Sequence, residues 1–258
     1  MDLGIRNRVA IVTGGSRGIG KGIVKGLAAE GCHVVVCGRT EETLKATKDE
    51  FKDLPGDILP VVADVTKHDD VSSMILKTLN TYEKIDILVN NVGGNIRNPV
   101  AETKDQDWRE IIDLNLMSHI ATTREVLPYM KKRKKGSIIF ISSIFGREMG
   151  GKGLSIYNTT KSAIISFAKV LALESAEDGI RVNSVAPGSI RFPGGSWDKR
   201  CLADPEGMAE FIKQALPLGR FGSVEEVANV VVFLASDRAS LMTGTCINVD
   251  GCQSHSLI

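Results

Sequence analysis

The chain has 258 residues, a length at which α/β sheets often form one domain around a large core, and we predict a single domain over residues 1–258. Lys and Arg total 32 against 31 Asp and Glu, so no global field attracts nucleic acid or an anionic membrane, and a small-molecule substrate is expected. No apolar run approaches the roughly 20 residues that a membrane helix needs.

Cysteine and histidine usage argues against a metal site. The five cysteines include no C-x-x-C pair, and the four histidines lack the spacing of metal ligands. We therefore expect no bound metal and a reducing, cytoplasmic setting.

The first predicted unit is a strand, a glycine-rich turn and a helix. Residues 9–13 are apolar and β-branched, as in a strand buried on both faces, and residues 21–30 follow as a helix. Between them, Gly14, Gly18 and Gly20 allow a tight turn and close approach of a ligand to the backbone. Because free N–H groups at a helix start attract phosphate, the unit predicts a dinucleotide site, with a plain tight turn as the alternative.

Arginines near the second strand indicate which dinucleotide is bound. The strand, residues 33–37, ends where an acidic residue would hold the ribose 2′-hydroxyl of NAD, but Arg39 stands there. Together with Arg17, Arg39 favours a 2′-phosphate, because guanidinium groups match phosphate oxygens. We therefore predict NADP. Glu41 or Glu42 reaching a 2′-hydroxyl, or a merely solvated Arg39, remain alternatives.

The chain then alternates between helices and strands, which is typical of a parallel sheet covered by helices. The predicted elements are a helix at 41–51, a strand at 58–63, a helix at 68–80 and a strand at 85–90. Asp64 and Val65 follow one strand, and residues 90–94 follow the next. Both lie at carboxyl strand ends, where such sheets bind ligands, although Asp, Asn and Gly are also ordinary turn residues.

A long helix is predicted from a capping box at Thr103 and Gln106 to about Pro128. Asn115 lies inside it, and an asparagine in an apolar helical stretch indicates a buried hydrogen-bonding task. The basic residues 131–135 then end the helix, where we expect a solvated surface cluster rather than a docking site.

Ser143, Tyr157 and Lys161 form the catalytic hypothesis. Ser143 ends a strand over residues 137–143, and a glycine-rich loop leads to a helix that carries the other two. Residues four apart meet on one helix face, so the Lys161 ammonium can stabilise the Tyr157 phenolate, whose ordinary pKa is near 10. The serine hydroxyl would hold a carbonyl oxygen while the phenol exchanges its proton. Ser142 is a lesser candidate for Ser143's role.

The remaining chain contains the expected substrate loop. A strand at 181–186 ends in Pro187 and Gly188, and the irregular stretch 189–218 is the length of a lid or binding loop. Phe192 and Trp197 in this loop favour an apolar or ring-faced substrate, unless they simply pack. A helix at 224–235 and a strand at 246–249 follow.

These motifs, in this order, closely resemble the classical short-chain dehydrogenases/reductases over nearly the whole chain. The matching pieces are Thr13-Gly14-x-x-x-Gly18-x-Gly20, Asp64-Val65, Asn90-Asn91-x-Gly93, Asn115, Ser143, Tyr157-x-x-x-Lys161 and Asn183-x-x-x-Pro187-Gly188. The resemblance implies a single-domain Rossmann fold with a seven-stranded parallel sheet of order 3-2-1-4-5-6-7. It also implies a homotetramer or homodimer formed through the helices that bear Asn115 and Tyr157.

The resemblance also implies residue roles. The catalytic residues would be Asn115, Ser143, Tyr157 and Lys161, with Asn115 positioning a water that links Lys161 to solvent. The cofactor-binding residues would be Gly14, Ser16, Arg17, Gly18, Ile19, Gly20, Arg39, Asp64, Val65, Asn91, Gly93, Tyr157, Lys161, Pro187 and Gly188. The chain departs from the family pattern at Val92, where alanine is usual, and at Cys252, where glycine is common.

The expected activity is NADP(H)-dependent transfer of hydride between nicotinamide and a carbonyl or secondary alcohol. The leading substrate class is the 3-oxoacyl thioesters, since many bacterial relatives reduce 3-oxoacyl-acyl carrier protein. The case for an acyl carrier protein as a partner is weakened by Leu173, which stands where carrier-using relatives commonly have arginine. The alternatives are a free ketone, sugar, polyol or steroid as substrate, and a non-catalytic NADP-binding sensor or scaffold.

Overall fold

The computed structural model describes residues 2–257, in which seven parallel strands form one sheet of order β3-β2-β1-β4-β5-β6-β7. The strands are β1 Val9–Thr13, β2 His33–Gly38, β3 Ile58–Val62, β4 Ile87–Asn90, β5 Gly136–Ile141, β6 Ile180–Pro187 and β7 Cys246–Val249. The predicted α/β Rossmann fold and strand order are therefore confirmed.

Nine α-helices connect and cover the strands within the described residues. They are α1 Gly18–Ala29, α2 Glu41–Glu50, α3 His68–Tyr82, α4 Asp105–Ile112, α5 Ser118–Arg133, α6 Ser155–Ser175, α7 Ser196–Ala203, α8 Pro205–Ala215 and α9 Val224–Ala235. No helix in residues 2–257 is long and apolar enough to cross a membrane.

The core consists of two apolar layers, one on each face of the sheet. In β1 every residue is buried, and side chains alternate between the layers, since Ala10 and Val12 belong to one cluster and Ile11 to the other. The first layer is closed by α1 and α9, and the second by α3, α5 and α6. Burial on both faces explains why these strands are continuous apolar runs rather than alternating ones.

The predicted long helix is wrong in its start, its continuity and its end. It begins at Asp105 after Lys104, whose N–H donates to the Asp107 carboxylate at 2.9 Å, whereas the Thr103 hydroxyl donates to the Val100 carbonyl. A π-helical turn, Asp113–Met117, separates α4 from α5. The helix then passes through Pro128 to Arg133, because one lost hydrogen bond is outweighed by packing of the buried flanking turns.

The stretch 189–218 is not irregular, because it contains α7 and α8. Asp204 caps α8 by accepting a hydrogen bond from the Gly207 N–H at 2.9 Å, and Pro205 occupies the first helical position, where its missing N–H costs nothing. The two ends of the segment meet, since the Gly222 N–H donates to the Ser189 carbonyl at 3.0 Å and the Arg191 N–H donates to the Gly222 carbonyl at 3.0 Å. We call residues 189–222 the substrate segment and Ser189, Arg191 and Gly222 its neck.

Candidate active site

The candidate catalytic side chains meet at the carboxyl edge of the sheet. Ser143 lies two residues beyond the end of β5, and Tyr157 and Lys161 lie in the first two turns of α6. Ser143 and Lys161 are 7% and 4% exposed, respectively, whereas Tyr157 is partly exposed. The structure therefore brings together the three residues that the sequence places 14 and 18 positions apart.

Lys161 is fixed beside the phenol ring. Its Nζ donates to the Ile141 carbonyl at 2.9 Å and lies 5.8 Å from the centre of the Tyr157 ring. Burial lowers the pKa of Lys161 to about 8, because desolvation disfavours the charged ammonium. A buried ammonium next to a phenol provides the positive charge that a phenolate requires.

Burial raises the pKa of Tyr157, and a hydrogen bond with the Ser143 hydroxyl opposes that rise. Ser142 has a different task, since its hydroxyl donates to the Lys161 carbonyl at 2.9 Å and so holds α6 against the end of β5. Of the two serines, Ser143 is thus the one that interacts with the phenol.

Asn115 lies in the π-helical turn and is fully buried. Its Nδ2 donates to the Gly94 carbonyl and to the Thr160 hydroxyl, both at 3.0 Å, and its Oδ1 accepts from the Gly94 N–H at 2.8 Å. The Thr160 hydroxyl in turn donates to the Tyr157 carbonyl at 2.9 Å. Asn115 therefore joins the loop after β4 to the helix that carries Tyr157.

The glycine-rich turn is bounded by the Phe192 ring at Gly18 and is held from behind by Asn91. Gly14 and Gly18 have φ of +65° and +54°, a region that favours glycine, and a Cβ on Gly20 would lie 2.3 Å from the Gly14 carbonyl oxygen. Asn91 Nδ2 donates to the carbonyls of Thr13 and Gly14 at 2.9 and 3.1 Å. The backbone thus fits close approach of a pyrophosphate, and Asn91 acts by shaping the turn.

Two arginines and a serine stand at the far end of this turn. Arg17 and Arg39 are exposed, and within residues 2–257 neither side chain forms an ion pair. The Ser16 hydroxyl lies beside Gly38, 3.4 Å from where a Cβ would be. Two unpaired guanidinium groups near a hydroxyl fit the 2′-phosphate of NADP.

Asp64 is held in a tight turn at the end of β3. Desolvation alone would raise its pKa, but hydrogen bonds from the Thr66 hydroxyl at 2.8 Å and N–H at 3.1 Å, with the charge of Arg39, lower the pKa of Asp64 below its ordinary value. Its carboxylate is therefore ionised and faces the arginine end of the site. The neighbouring Val65 is buried.

The other predicted cofactor residues line the same edge. A Cβ on Gly93 would lie 3.3 Å from Lys161 Nζ, and one on Gly188 would lie 2.7 Å from the Gln253 Oε1. Pro187 ends β6, and Ile19 packs against the core at the start of α1. All these residues lie at carboxyl strand ends or in the first turn of α1.

Aromatic residues of the substrate segment pack internally. The Trp197 ring lies 4.8 Å from the Phe211 ring and 5.3 Å from the Phe221 ring, between centroids. Phe192 instead covers the glycine-rich turn, since a Cβ on Gly18 would lie 2.6 Å from its ring. Packing, the alternative left open for Trp197 and Phe192, is what the structure shows for both.

Sequence reasoning missed His119, one turn after Asn115. It is 1% exposed, and its Nε2 lies 2.8 Å from the Val92 carbonyl oxygen. Burial, followed by the charge of Lys161, lowers the pKa of His119 to about 3, so the ring is neutral at physiological pH. The i, i+4 spacing from Asn115 is the signal that places it behind the site.

The described residues include no metal site, and Cys37, which lies against Gly14 of the glycine-rich turn, is a buried thiol. All five cysteines are free thiols, and burial raises the pKa of Cys32 and Cys37 to about 12, which makes them unreactive. Among the described residues, no group of three or more His, Cys, Asp or Glu side chains is arranged to hold a metal ion.

Comparison with known proteins agrees with this geometry. Residues 8–196 match the family model described as short chain dehydrogenase. The chain is 38% identical over 247 residues to a 3-oxoacyl-[acyl-carrier-protein] reductase of Thermotoga maritima, covering 96% of this chain and 98% of the relative. It is 37% identical over 258 residues to an L-fucose dehydrogenase of Bos taurus, covering 97% and 92% of the two chains.

A solved structure resembles the chain throughout. The L-sorbose reductase of Gluconobacter frateurii, complexed with NADPH and L-sorbose, superposes with a TM-score of 0.94 at 34% identity and covers 100% of both chains. With a family model that spans most of the chain and relatives above 30% identity over nearly full length, the protein is an oxidoreductase acting on CH–OH groups and belongs to the short-chain dehydrogenase family.

Proposed function

We propose that the protein is an NADP(H)-dependent carbonyl reductase that transfers hydride between nicotinamide and a carbonyl or secondary alcohol. The observation that carries the proposal is the buried Lys161 ammonium, 5.8 Å from the centre of the Tyr157 ring, at the sheet edge that also holds the glycine-rich turn. A scaffold without turnover would have no use for a costly buried ammonium beside a phenol.

The side chains divide the proton chemistry among them. The bound cofactor supplies the hydride. Ser143 holds the carbonyl oxygen of the substrate by a hydrogen bond, and Tyr157 donates its phenolic proton to that oxygen. Lys161 stabilises the phenolate left behind, and Asn115 keeps α6 in register with the loop after β4 so that the three groups stay aligned.

NADP rather than NAD is supported by the two exposed arginines. Arg39→Asp removes a phosphate partner and places a carboxylate where it can accept from a 2′-hydroxyl. We expect the ratio of kcat/KM for NADPH to that for NADH to fall by about 100-fold, since one charge-assisted contact contributes about 1.5–3 kcal/mol and the new carboxylate repels phosphate. An unchanged ratio would show that Arg39 does not discriminate between NADPH and NADH.

The leading substrate class is the 3-oxoacyl thioesters. Several curated relatives at 37–39% identity are 3-oxoacyl-[acyl-carrier-protein] reductases and match the chain over nearly its whole length. Such a substrate presents one ketone to Ser143 and Tyr157, with its acyl and thioester arms along the substrate segment.

A free ketose or polyol is the second candidate, and the surface near α5 favours it over a carrier-bound substrate. Lys131 and Lys134 are already paired with Asp178, and Leu173 is 81% exposed on α6. Lys132 and Lys135 stay exposed without an ion pair among the described residues, so what weakens a carrier partner is the apolar Leu173, which stands where carrier-using relatives commonly have arginine. The similarity to the sorbose reductase structure points in the same direction.

The test is NADPH oxidation with a panel of 3-oxoacyl thioesters, ketoses and cyclic ketones. Tyr157→Phe should lower kcat at least about 100-fold, within the range for loss of a general acid. Tyr129→Phe, which removes a hydroxyl outside the site, is the matched control and should retain activity. Tight NADPH binding without turnover of any substrate would favour the sensor or scaffold alternative, and an active Tyr157→Phe variant would refute the catalytic assignment.

We also propose a homotetramer or homodimer formed through the helices that bear Asn115 and Tyr157. Val170 and Leu173 on α6 are 53% and 81% exposed, and Met117 in the π-helical turn is 47% exposed. Exposed apolar side chains on adjacent helices fit an interface. Light scattering measures the assembly, and a strictly monomeric active enzyme would contradict this proposal.

A further inference from the structure

The segment after β7 folds back over the neck of the substrate segment. Gly251 and Cys252 turn the chain with φ of +61° and +67°, which is unusual for a cysteine and explains why glycine suits that position. The Asp250 carboxylate fixes the turn by accepting from the N–H groups of Cys252 and Ser254, both at 3.0 Å. The turn places Gln253 beside the neck.

Gln253 holds Ser189 with both ends of its side-chain amide. Its Oε1 accepts from the Ser189 N–H at 2.8 Å, and its Nε2 donates to the Ser189 hydroxyl at 2.9 Å. Ser189 is 6% exposed, so these two bonds are shielded from water. A second link joins the same segment to the loop after β5, because the His255 N–H donates to the Glu148 carboxylate at 2.7 Å.

The neck leads directly to the cofactor turn. Ser189 pairs with Gly222 to close the substrate segment, and three residues later the Phe192 ring lies on Gly18. A cavity of about 60 Å³ lies beside the neck, lined by Ser189, Gly222 and Gly251 among others. Beside this gap in the packing, the two hydrogen bonds from the Gln253 side-chain amide hold Ser189.

We propose that Gln253 is a positioning residue that sets NADP(H) affinity by holding the neck so that Phe192 shields the glycine-rich turn. The inference rests on the proposed use of NADP(H). With the neck fixed, the Phe192 ring keeps water away from the turn, where hydrogen bonds from backbone N–H groups to phosphate are stronger in a dry environment. We call the two hydrogen bonds from Gln253 to Ser189 the tether. Without the tether the neck relaxes, the Phe192 ring leaves Gly18, and the phosphate contacts become solvated.

The central experiment measures NADPH binding to the full-length protein by fluorescence titration. Gln253→Met keeps the side-chain length but removes both hydrogen bonds, and we expect the Kd for NADPH to rise about tenfold while kcat at saturating NADPH stays within about twofold. Gln253→Glu retains two acceptors for the Ser189 N–H and hydroxyl and should recover most of the affinity. Gln106→Met, the same change at an exposed position of α4, is the matched control and should leave the Kd unchanged.

Further variants test whether Gln253 affects NADPH binding through Phe192. Phe192→Ala should weaken NADPH binding in the same direction, and Gln253→Met should add little to it, because contacts in one chain of interactions are not additive. Ser189→Ala, which removes one of the two bonds, provides a milder variant if Gln253→Met does not fold. Its expected increase in Kd is about threefold.

The outcomes separate this inference from the proposed function. If the wild-type protein binds no NADPH, the proposed cofactor use fails and the inference fails with it. If the wild type binds NADPH and Gln253→Met binds it equally well, only the tether is refuted. A loss of affinity that is fully additive with Phe192→Ala would also overturn the inference, because Gln253 would then act independently of the ring.

Discussion

Burial makes the Lys161 ammonium easier to deprotonate than that of an exposed lysine, with its pKa lowered from 10.5 to about 8. The ammonium is charged below that pH and neutral above it. Because the proposed reduction leaves a phenolate on Tyr157, transition-state stabilisation requires the charged form. The working range of the reductive reaction is therefore expected to end close to the pKa of Lys161.

We predict that kcat/KM for NADPH-dependent reduction is flat below about pH 7 and falls as pH rises through about 8. The parameter kcat/KM reports the ionisation of the free enzyme, which is the state described here. Initial rates at low substrate concentration in buffers from pH 6 to pH 10 measure the profile, with a check that the protein stays folded throughout. A profile that stays flat beyond pH 9.5 would contradict a role for the Lys161 charge.

At the scale of elements, the π-helical turn determines the position of one side chain, that of Asn115. Asn115, which is fully buried, bonds the N–H and the carbonyl of the half-buried Gly94 and the hydroxyl of the buried Thr160. An α-helix running straight through this stretch would carry Asn115 to a different angle. The turn thus places a polar bridge between two helices and the loop after β4.

We predict that Asn115→Ala lowers the free energy of unfolding by about 2–4 kcal/mol, because it leaves buried donors and acceptors without partners. Chemical denaturation measures the change. Asn95→Ala, at an exposed position on the same loop, is the control and should change stability by less than about 0.5 kcal/mol. If both variants were equally stable, Asn115 would not be a structural bridge.

The elements that the sequence predicted well are the strands whose residue types are determined by burial. Strands such as β1 and β5 are buried throughout and mostly apolar because both faces of the sheet are covered, and their bounds were predicted within two residues. The errors arose at helix-breaking residues. Pro128 does not end α5, and the glycines and prolines around Pro193 and Pro205 precede helices rather than fill a loop, because capping and packing outweigh local preference.

At the scale of the whole molecule, the sequence predicted a set of site residues but not the contacts that hold them. The motif order placed Asn91 and Ser143 at carboxyl strand ends, and the pairing of β4 with β5 makes these two ends neighbours. The bond from Asn91 to Thr13 joins residues 78 positions apart, and the tether from Gln253 to Ser189 joins residues 64 apart. Such contacts depend on side-chain orientation after folding, and no local sequence pattern predicts them.

The opposite end of the sheet offers a test of what holds the fold together away from the site. Asp86, just before β4, is 4% exposed, and its carboxylate accepts from the Val9 N–H at 2.8 Å and from Arg133 at 2.7 Å. Its backbone carbonyl accepts from the Ser137 N–H at 2.9 Å. One buried carboxylate therefore connects β1 and the end of α5, while its backbone contacts β5. Asp178, by contrast, pairs with lysines at the surface.

We predict that Asp86→Ala lowers the free energy of unfolding by about 3 kcal/mol, since removing one partner of a buried pair leaves the Val9 N–H and Arg133 uncompensated. Asp178→Ala removes two ion pairs at the same helix end, with Lys131 and Lys134, whose side chains are 47% and 67% exposed. The change should leave stability unchanged, because pairs with exposed lysines are screened by water and salt. Chemical denaturation of both variants measures the difference, and kcat should be retained in both because the catalytic residues lie at the other edge of the sheet. Equal losses in the two variants would show that burial does not decide the strength of these pairs, and a selective loss of kcat in Asp86→Ala would show that the two edges of the sheet are coupled.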